Sequence, residues 1–478
     1  MHLAGSGPGR FGKEDAGLRR LRLLLAIVVA RVAAFLARLA GHRGSSLPGM
    51  VGLRVCPQAP AWLARDIRGH RVIVTGTNGK TTTSNMLRTI LTEAGYRVVA
   101  NREGANLITG VATCFLRAAG WRGRLDHDHA VLEADEAAFP SIAAAVRPSV
   151  VVVTNFFRDQ LDRYGELDRT VRLIGEALLC LKGVTLVLNA DDPLVAQLAR
   201  LTGHPAVFYG LAPVEGHRTG QVREARYCPL CRAPLGYDGY VYGHLGHYKC
   251  ACGFTRPRAD FEGLPEHGGT GALTVCHPEG RLQVTPGTTG FYNTYNALAA
   301  FAAARVLEVP VEVIRRALAA YRPATGRMEE FWYGSKKVIL NLVKNPAGFN
   351  ESLAALIETR GTKDVFIAIN DLVADGRDVS WLWDVDFEVL AAHDDSRRFV
   401  CAGRRGADMA VRLKYAGVPV DRIGVAPSLQ TGIRTTLAGD GEVGFFLATY
   451  TALWPVARLL RRELRGDRTR AHRMPSVS

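Results

Sequence analysis

The chain has 478 residues, 47% of them apolar and 22% charged, which excludes a disordered or fibrous chain and exceeds what one ordinary core holds, so two or three domains are expected. Its formal charge is +15, dominated by arginine. Nine cysteines in a chain of this size do not read as a disulfide framework, and no apolar run reaches the about 20 residues that a membrane-spanning helix needs.

The first element expected is an amphipathic helix within residues 1–50, in the stretch LRRLRLLLAIVVARVAAFLARLA that begins at Leu18. Only eight uncharged residues separate Arg22 from Arg31, and Arg31 and Arg38 stand two helical turns apart on one face. The stretch lacks the small-residue cleavage site of a signal peptide, so it reads as a helix that packs on the protein or lies on the inner face of the membrane, in a cytoplasmic chain. Both ends are basic (GRFGKEDAGLRRLRL and RLLRRELRGDRTRAHR), as suits an anionic membrane surface, a nucleic acid or a solvated charged face.

Residues 51–325 carry apolar, β-branched runs alternating with helices: a strand over 71–75, then HAVLEAD, VVVTNFF and VTLVLNADDP. This alternation predicts an α/β domain with a parallel sheet covered on both faces. Between about 222 and 258 the texture turns to Tyr, Gly and Cys with little periodicity, as in a small insertion. Helical pattern returns in TYNALAAFAAARVLEV and VPVEVIRRALAAY, RPATGR reads as a linker, and residues 326–478 repeat the strand–helix alternation as a second, Rossmann-like α/β domain.

The strand over 71–75 runs into Gly76, Thr77, Asn78, Gly79, Lys80, Thr81 and Thr82. Glycines that let backbone N–H groups approach phosphate oxygens, a helix N-terminus facing the anion, a lysine for the β and γ phosphates and a threonine for Mg²⁺ are the parts of an ATP site. The loop is two residues shorter than the common G-x-x-x-x-G-K-[ST] spacing, but the physics survives the change. TGTNGKTTT resembles the ATP loop of the Mur ligases, which join amino acids to peptidoglycan precursors through an acyl phosphate. The resemblance continues in order. VLEADEA puts Glu133 at the family's Mg²⁺-ligating glutamate, TNFFRDQLDRYGE resembles its T-N-x-x-x-D-H-x-D stretch, YNTYNALAA puts Asn293 and Asn296 at its adenine contacts, and GRMEEF puts Arg327 at its domain junction.

The departures are informative. Gln160 replaces the family's histidine ligand, and no lysine lies between Lys80 and Lys182 to serve as its carbamylated lysine; both weigh against a second metal. Asn341 and Lys344 stand where the family has Asp and His, which speaks against an ordinary amino-acid-adding ligase.

Cys228, Cys231, Cys250 and Cys252 form two pairs separated by eighteen residues, the spacing of a closed, structural zinc site, with His244 and His247 near enough to substitute. A zinc ribbon inside a Mur-type ATP domain, together with RGSSLPG, GHYKCACGF, NPAGFN and ADGRDVSWLWDVDFE, resembles the MurT family, the Mur-like subunits of lipid II isoglutaminyl synthases. That resemblance implies ATP-dependent activation of the α-carboxylate of D-glutamate in lipid II, and ammonia supplied by a GatD-like glutaminase partner. It further implies that DGRDVSW lends that partner the acid that orients its catalytic histidine, which is Asp378 here, with Asp375 the second candidate. Read without the resemblance, Asp378 caps a helix over SWLWDVDFEVL.

Two other readings compete. A folylpolyglutamate-synthase-like ligase shares the ATP fold but fits neither the ribbon nor the missing lysine. A zinc-ribbon nucleic-acid binder fits the net charge, yet Lys and Arg are sparse among the ribbon's tyrosines, so no nucleic-acid partner is expected.

Overall fold

The computed structural model describes residues 16–39, 45–101, 104–157, 167–213, 225–266, 272–288, 290–393 and 395–471. The RDQLDRYGE stretch with Gln160 lies outside them.

The first sheet is built from β1 (Arg71–Thr75), β2 (Val98–Ala100), β3 (His129–Glu133), β4 (Val150–Val153), β5 (Thr185–Asn189), β6 (Ala206–Leu211), β9 (Phe261–Pro265), β10 (Leu273–His277) and β11 (Gly280–Val284). The hairpin of β7 (Gly236–Tyr242) and β8 (Leu245–Lys249) intervenes between β6 and β9. The nine strands lie in the order β11-β10-β9-β6-β5-β4-β1-β3-β2, parallel from β2 to β9 and antiparallel at β10 and β11. Successive residues of a strand face opposite sides. Val72 and Val74 therefore pack beneath the helices Lys80–Glu93 and Phe291–Val306, while Ile73 joins the core under Ile108–Ala118 and Phe139–Val146 on the other face. Burial on both faces explains why these strands read as unbroken apolar runs.

The N-terminal helix Ala16–Leu39 packs its small residues, Ala26 and Ala30, against Gly52 of the helix Leu47–Val55. It meets the sequence expectation of a helix packed on the protein along that one face. Its opposite face is exposed.

The second sheet comprises β12 (Glu329–Tyr333), β13 (Lys336–Leu342), β14 (Lys363–Ala368), β15 (Ser396–Ala402), β16 (Ile423–Val425) and β17 (Val443–Ala448). Their order is β12-β13-β17-β14-β15-β16, with only the β12–β13 pair antiparallel. Helices Pro346–Glu358 and Gly406–Tyr415 cover one face, and Leu429–Leu437 and Tyr450–Ala471 cover the other, the doubly wound arrangement that the alternating pattern predicts.

The helix expected over SWLWDVDFEVL does not form as one element. A 3₁₀ turn spans Ser380–Asp384 and a short helix Glu388–Ala391, with a break between them. At the break the backbone N–H of Asp386 donates to Asn350 Oδ1 (2.8 Å), and Asn350 Nδ2 donates to Asp386 Oδ2 (3.0 Å). These bonds to a neighbouring helix, with Trp381 and Leu382 buried, override the local helical pattern.

One buried ion pair closes the base of this sheet. Lys336 Nζ donates to Asp364 Oδ2 (2.7 Å), Thr436 O (3.0 Å) and Gly439 O (2.8 Å), and the Gly441 N–H also donates to Asp364 Oδ2 (2.8 Å). Removing one partner of a buried pair leaves an uncompensated charge. Asp364→Ala is expected to weaken the unfolding transition of this sheet by about 3 kcal/mol, and Lys336→Met in the same chain to restore most of the loss, both read from denaturant midpoints.

Candidate active site

β1 ends at Thr75, and the helix Lys80–Glu93 starts four residues beyond Gly76. Gly76 (φ 118°) and Gly79 (φ 85°) occupy the left-handed region, and a Cβ on Gly79 would run into Asn296 Oδ1. The loop takes its shape from the end of β4. Asn155 O accepts the Thr77 N–H (2.8 Å), Asn155 Oδ1 accepts the Asn78 N–H (2.9 Å), and Asn155 Nδ2 donates to Asn78 O (3.2 Å). Thr154 Oγ1 also donates to Asn78 O (2.7 Å). The Thr-Asn of TNFF is thus the brace of the phosphate loop, a role that the motif match alone does not reveal.

Lys80 is buried. Its Nζ donates to the Gly76 and Thr77 carbonyls and to Glu136 Oε2 (3.0 Å), so the ammonium stands over the loop where phosphate oxygens would arrive. Thr81 Oγ1 donates to Glu133 Oε2 (2.9 Å), bringing both expected Mg²⁺ ligands together. Burial holds the Glu133 carboxyl above its ordinary range, opposed by Lys80, the Thr81 hydroxyl, Arg327 and Lys344. A hydroxyl and a carboxylate side by side at a helix N-terminus are hard oxygen donors of the type that Mg²⁺ takes. Such a cation would hold Glu133 ionised.

Asn293 and Asn296 share one face of the helix Phe291–Val306 and are both buried. Asn296 Nδ2 donates to Asn293 Oδ1 (3.0 Å), and Thr83 Oγ1 donates to Asn296 Oδ1 (3.4 Å), which ties the pair to the helix that follows the loop. The opposite wall of the cleft comes from the second sheet, with Arg327, Lys344 and Glu351 among its lining residues. Arg327 Nη2 reaches Thr81 Oγ1 across the cleft (3.4 Å).

Sequence reasoning passed over three groups. Asn345 is fully buried and caps the helix Pro346–Glu358, accepting the Gly348 N–H (2.8 Å) through Oδ1, while its Nδ2 donates to Asn78 Oδ1 (3.1 Å) and links the two halves. An Asn directly before Pro at a helix start was the available signal. Glu136 partners Lys80. Burial, and then Glu358, push the Glu351 carboxyl up to about 8. Asn341, at the family's Asp position, accepts the Met328 N–H (3.1 Å) and donates to Ser352 Oγ (2.9 Å), so its amide holds the second domain's first turn.

Most of the acids of NDLVADGRDVSWLWDVDFE are engaged in structure. Asp371 pairs with Arg404 and Arg405, Asp386 with Asn350, and Glu388 with Arg412. Asp375 is buried and accepts the Thr451 N–H (2.8 Å), the Thr451 hydroxyl and the Leu372 N–H (3.2 Å). Asp378 is exposed, and the Ser380 N–H donates to its Oδ1 (2.8 Å), which holds its carboxyl below the usual range and ionised at neutral pH. The same stretch also exposes Val373 and Trp383, at 77% and 55%.

The four ribbon cysteines converge. Cys228 Sγ lies 3.6 Å from Cys252 Sγ and Cys231 Sγ 3.5 Å from Cys250 Sγ, and all four sulfurs fall within 4.8 Å of one another. A tetrahedron with Zn–S bonds of about 2.3 Å has edges of about 3.8 Å, so the donor set suits zinc. The Phe254 backbone N–H, and then the Cys231 and Cys250 thiols, pull the Cys252 thiol down to about 7. The two histidines offered as substitutes are not in the cluster. His244 is fully buried 3.2 Å from Asp192 and against Phe157, and His247 Nε2 lies 3.0 Å from Leu211 O.

Residues 74–226 match the Mur ligase middle domain and residues 342–453 the MurT ligase C-terminal domain. The chain is 35% identical to the lipid II isoglutaminyl synthase (glutamine-hydrolyzing) subunit MurT of Staphylococcus aureus, over 94% of this chain and all of the relative. It is 34% identical to the subunit of that name from Streptococcus pneumoniae, over 92% of this chain and 97% of the relative. Among solved structures it is similar in fold to a pseudomurein peptide ligase type C from Methanothermus fervidus (TM-score 0.63, 24% identity, 83% of this chain and 79% of that one). MurF from Acinetobacter baumannii is similar in fold as well (TM-score 0.63, 17% identity, 87% and 80%). An ATP loop of Mur type, a four-cysteine insertion and a MurT C-terminal domain in one chain, matched along nearly its whole length, mean that the chain belongs to the MurT family of Mur ligases, the ATP-dependent subunits of lipid II isoglutaminyl synthases.

Proposed function

We propose that this chain activates the α-carboxylate of D-glutamate in the lipid II stem peptide as an acyl phosphate, which ammonia from a GatD-like glutaminase partner converts to D-isoglutamine. The carboxylate oxygen attacks the γ-phosphorus of ATP and ADP departs. Ammonia then attacks the acyl carbon, phosphate leaves, and the amide nitrogen gives up a proton. Gly76, Thr77, Asn78, Gly79 and Thr82 supply the loop that receives the phosphates, and Asn293 and Asn296 are assigned to the adenine. Lys80 and Arg327 neutralise charge that builds on the transferring group. Thr81 and Glu133 would hold a Mg²⁺ ion, which screens the β and γ phosphates when bound. Asn341 in place of an acid, with its amide already spent on Met328 and Ser352, fits a ligase whose nucleophile is ammonia rather than an amino acid.

The observation that carries this reading is the coexistence of a buried, cation-lined phosphate loop with an ionised, exposed Asp378 in a stretch that also exposes Val373 and Trp383. Asp378 is assigned to orient and charge-stabilise the partner's histidine. Lys80→Ala, which also leaves the buried Glu136 without its cation, is expected to lower lipid II amidation by at least about 100-fold in protein that circular dichroism shows to be folded; amidation at the wild-type rate would refute the ATP-loop assignment.

Zinc is assigned to the four cysteines as a structural ion. Elemental analysis of purified protein should find about one zinc per chain, and Cys228→Ser should release it and lower the thermal stability of the ribbon.

Asp378→Asn, in a complex shown by gel filtration to assemble, should slow glutamine hydrolysis by about three to four orders of magnitude, since the amide no longer stabilises an imidazolium. Amidation driven by added ammonia should persist in the same complex. Normal glutamine hydrolysis would remove Asp378 from the mechanism.

A further inference from the structure

The helix Ala16–Leu39 presents two apolar faces of different character. Residues advance about 100° each around a helix. Leu23, Ala26, Ile27, Ala30, Ala34 and Ala37 project together, and all are buried against the rest of the chain. Leu21, Leu25, Val28, Val32, Phe35 and Leu39 project to the opposite side, each at least 43% exposed and Leu39 reaching 70%. Scattered exposed leucines are ordinary, but an apolar stripe running about five turns along one helix is a surface built to be covered.

The charges say what covers it. Between Leu18 and Leu39 the helix carries Arg19, Arg20, Arg22, Arg31 and Arg38 and no acidic residue. Arg20, Arg31 and Arg38 fall along one edge of the exposed stripe, and Arg22 along the other. None points out from its centre. Trp121, 73% exposed, stands beside the same edge, with the Arg31 guanidinium 4.2 Å from its ring and donating to Ala119 O. Large aliphatics outward, arginines on both margins and an exposed tryptophan at the rim form the pattern of a helix lying in a lipid interface, where apolar side chains enter the acyl region, guanidinium groups meet phosphates and tryptophan sits at headgroup level. A protein partner would have to bring matching acids to both margins, whereas an anionic bilayer supplies phosphates everywhere. No helix among the described residues is long and apolar enough to cross a membrane.

We propose that the exposed face of this helix docks the chain, parallel to the surface, on a bilayer containing anionic phospholipid. The reach of the catalytic cleft is then to substrates held at that surface. The proposal stands on the helix alone and does not need the reaction assigned above.

The test is co-flotation of the full-length chain with vesicles of phosphatidylglycerol and phosphatidylcholine, against vesicles of phosphatidylcholine alone. The chain should float with the anionic vesicles, much less with the neutral ones, and be partly released by high salt. The variant Leu25→Glu/Val32→Glu/Phe35→Glu changes only exposed side chains, so its thermal unfolding should match wild type while its partition onto anionic vesicles falls at least tenfold. Brominated lipid should quench the wild-type protein's tryptophan fluorescence, and Trp121→Phe should remove most of that quenching. Wild-type protein that stays in solution with anionic vesicles overturns the proposal, as does a triple variant that floats like wild type. A wild-type dimer that the triple variant turns into a monomer, without vesicle binding, would assign the face to a second copy of this chain instead.

Discussion

Asn155 holds both backbone polar groups of Asn78, and the geometry of the cleft follows from that pairing. The phosphate loop turns back on itself through two left-handed glycines, and within it the Lys80 ammonium bonds the Gly76 and Thr77 carbonyls while the Thr77 and Asn78 N–H groups look elsewhere. Their partners come from the end of β4, which the sheet order places beside β1. β2 and β3 lie on the other side of β1, so the loop stands at the point where the chain changes direction across the sheet. Open α/β sheets form a crevice at that position, beyond the carboxyl ends of their strands. The brace, the topology and the anion site are one arrangement.

Asn78 also carries the connection to the second sheet. Its side-chain oxygen accepts from Asn345, which at the same time caps the helix that walls the far side of the cleft. Arg327 reaches back to Thr81 from the same side. A shift of the second sheet against the first must therefore change the surroundings of Lys80 and Thr81. The charge balance inside is close: Lys80 is matched by Glu136, and Glu133 is kept above its ordinary range by burial while cations around it work the other way. An anionic nucleotide with its cation would enter a space already furnished with both signs.

The acidic stretch near residue 378 separates structural from available charge. Asp375 is spent on Thr451, Asp371 on two arginines and Glu388 on Arg412, so an aspartate density that looks functional in the sequence is largely the means by which a loop with little regular structure is held down. Asp378 differs because it is exposed and, among the described residues, its carboxylate is held only by its near neighbour Ser380, through the backbone N–H and the side chain.

Much of this molecule was legible in its sequence. The phosphate loop, the alternation of β-branched runs with helices and the paired cysteines are local patterns whose chemistry depends on spacing along the chain, and the Mur-type resemblance rested on them. Tertiary structure decided the rest, for reasons that spacing cannot express. A helix expected over SWLWDVDFEVL broke because Asn350, on another element, bonded to Asp386. His244 and His247 lie close to the cysteines along the chain, yet one is directed to Asp192 and the other to Leu211. The roles of Asn345 and Glu136 exist only where two distant segments meet. Sequence alone determined where residues of phosphate- and metal-binding type stand along the chain; long-range packing decided which of them converge, because a polar side chain is committed by whichever partner burial brings within hydrogen-bonding reach.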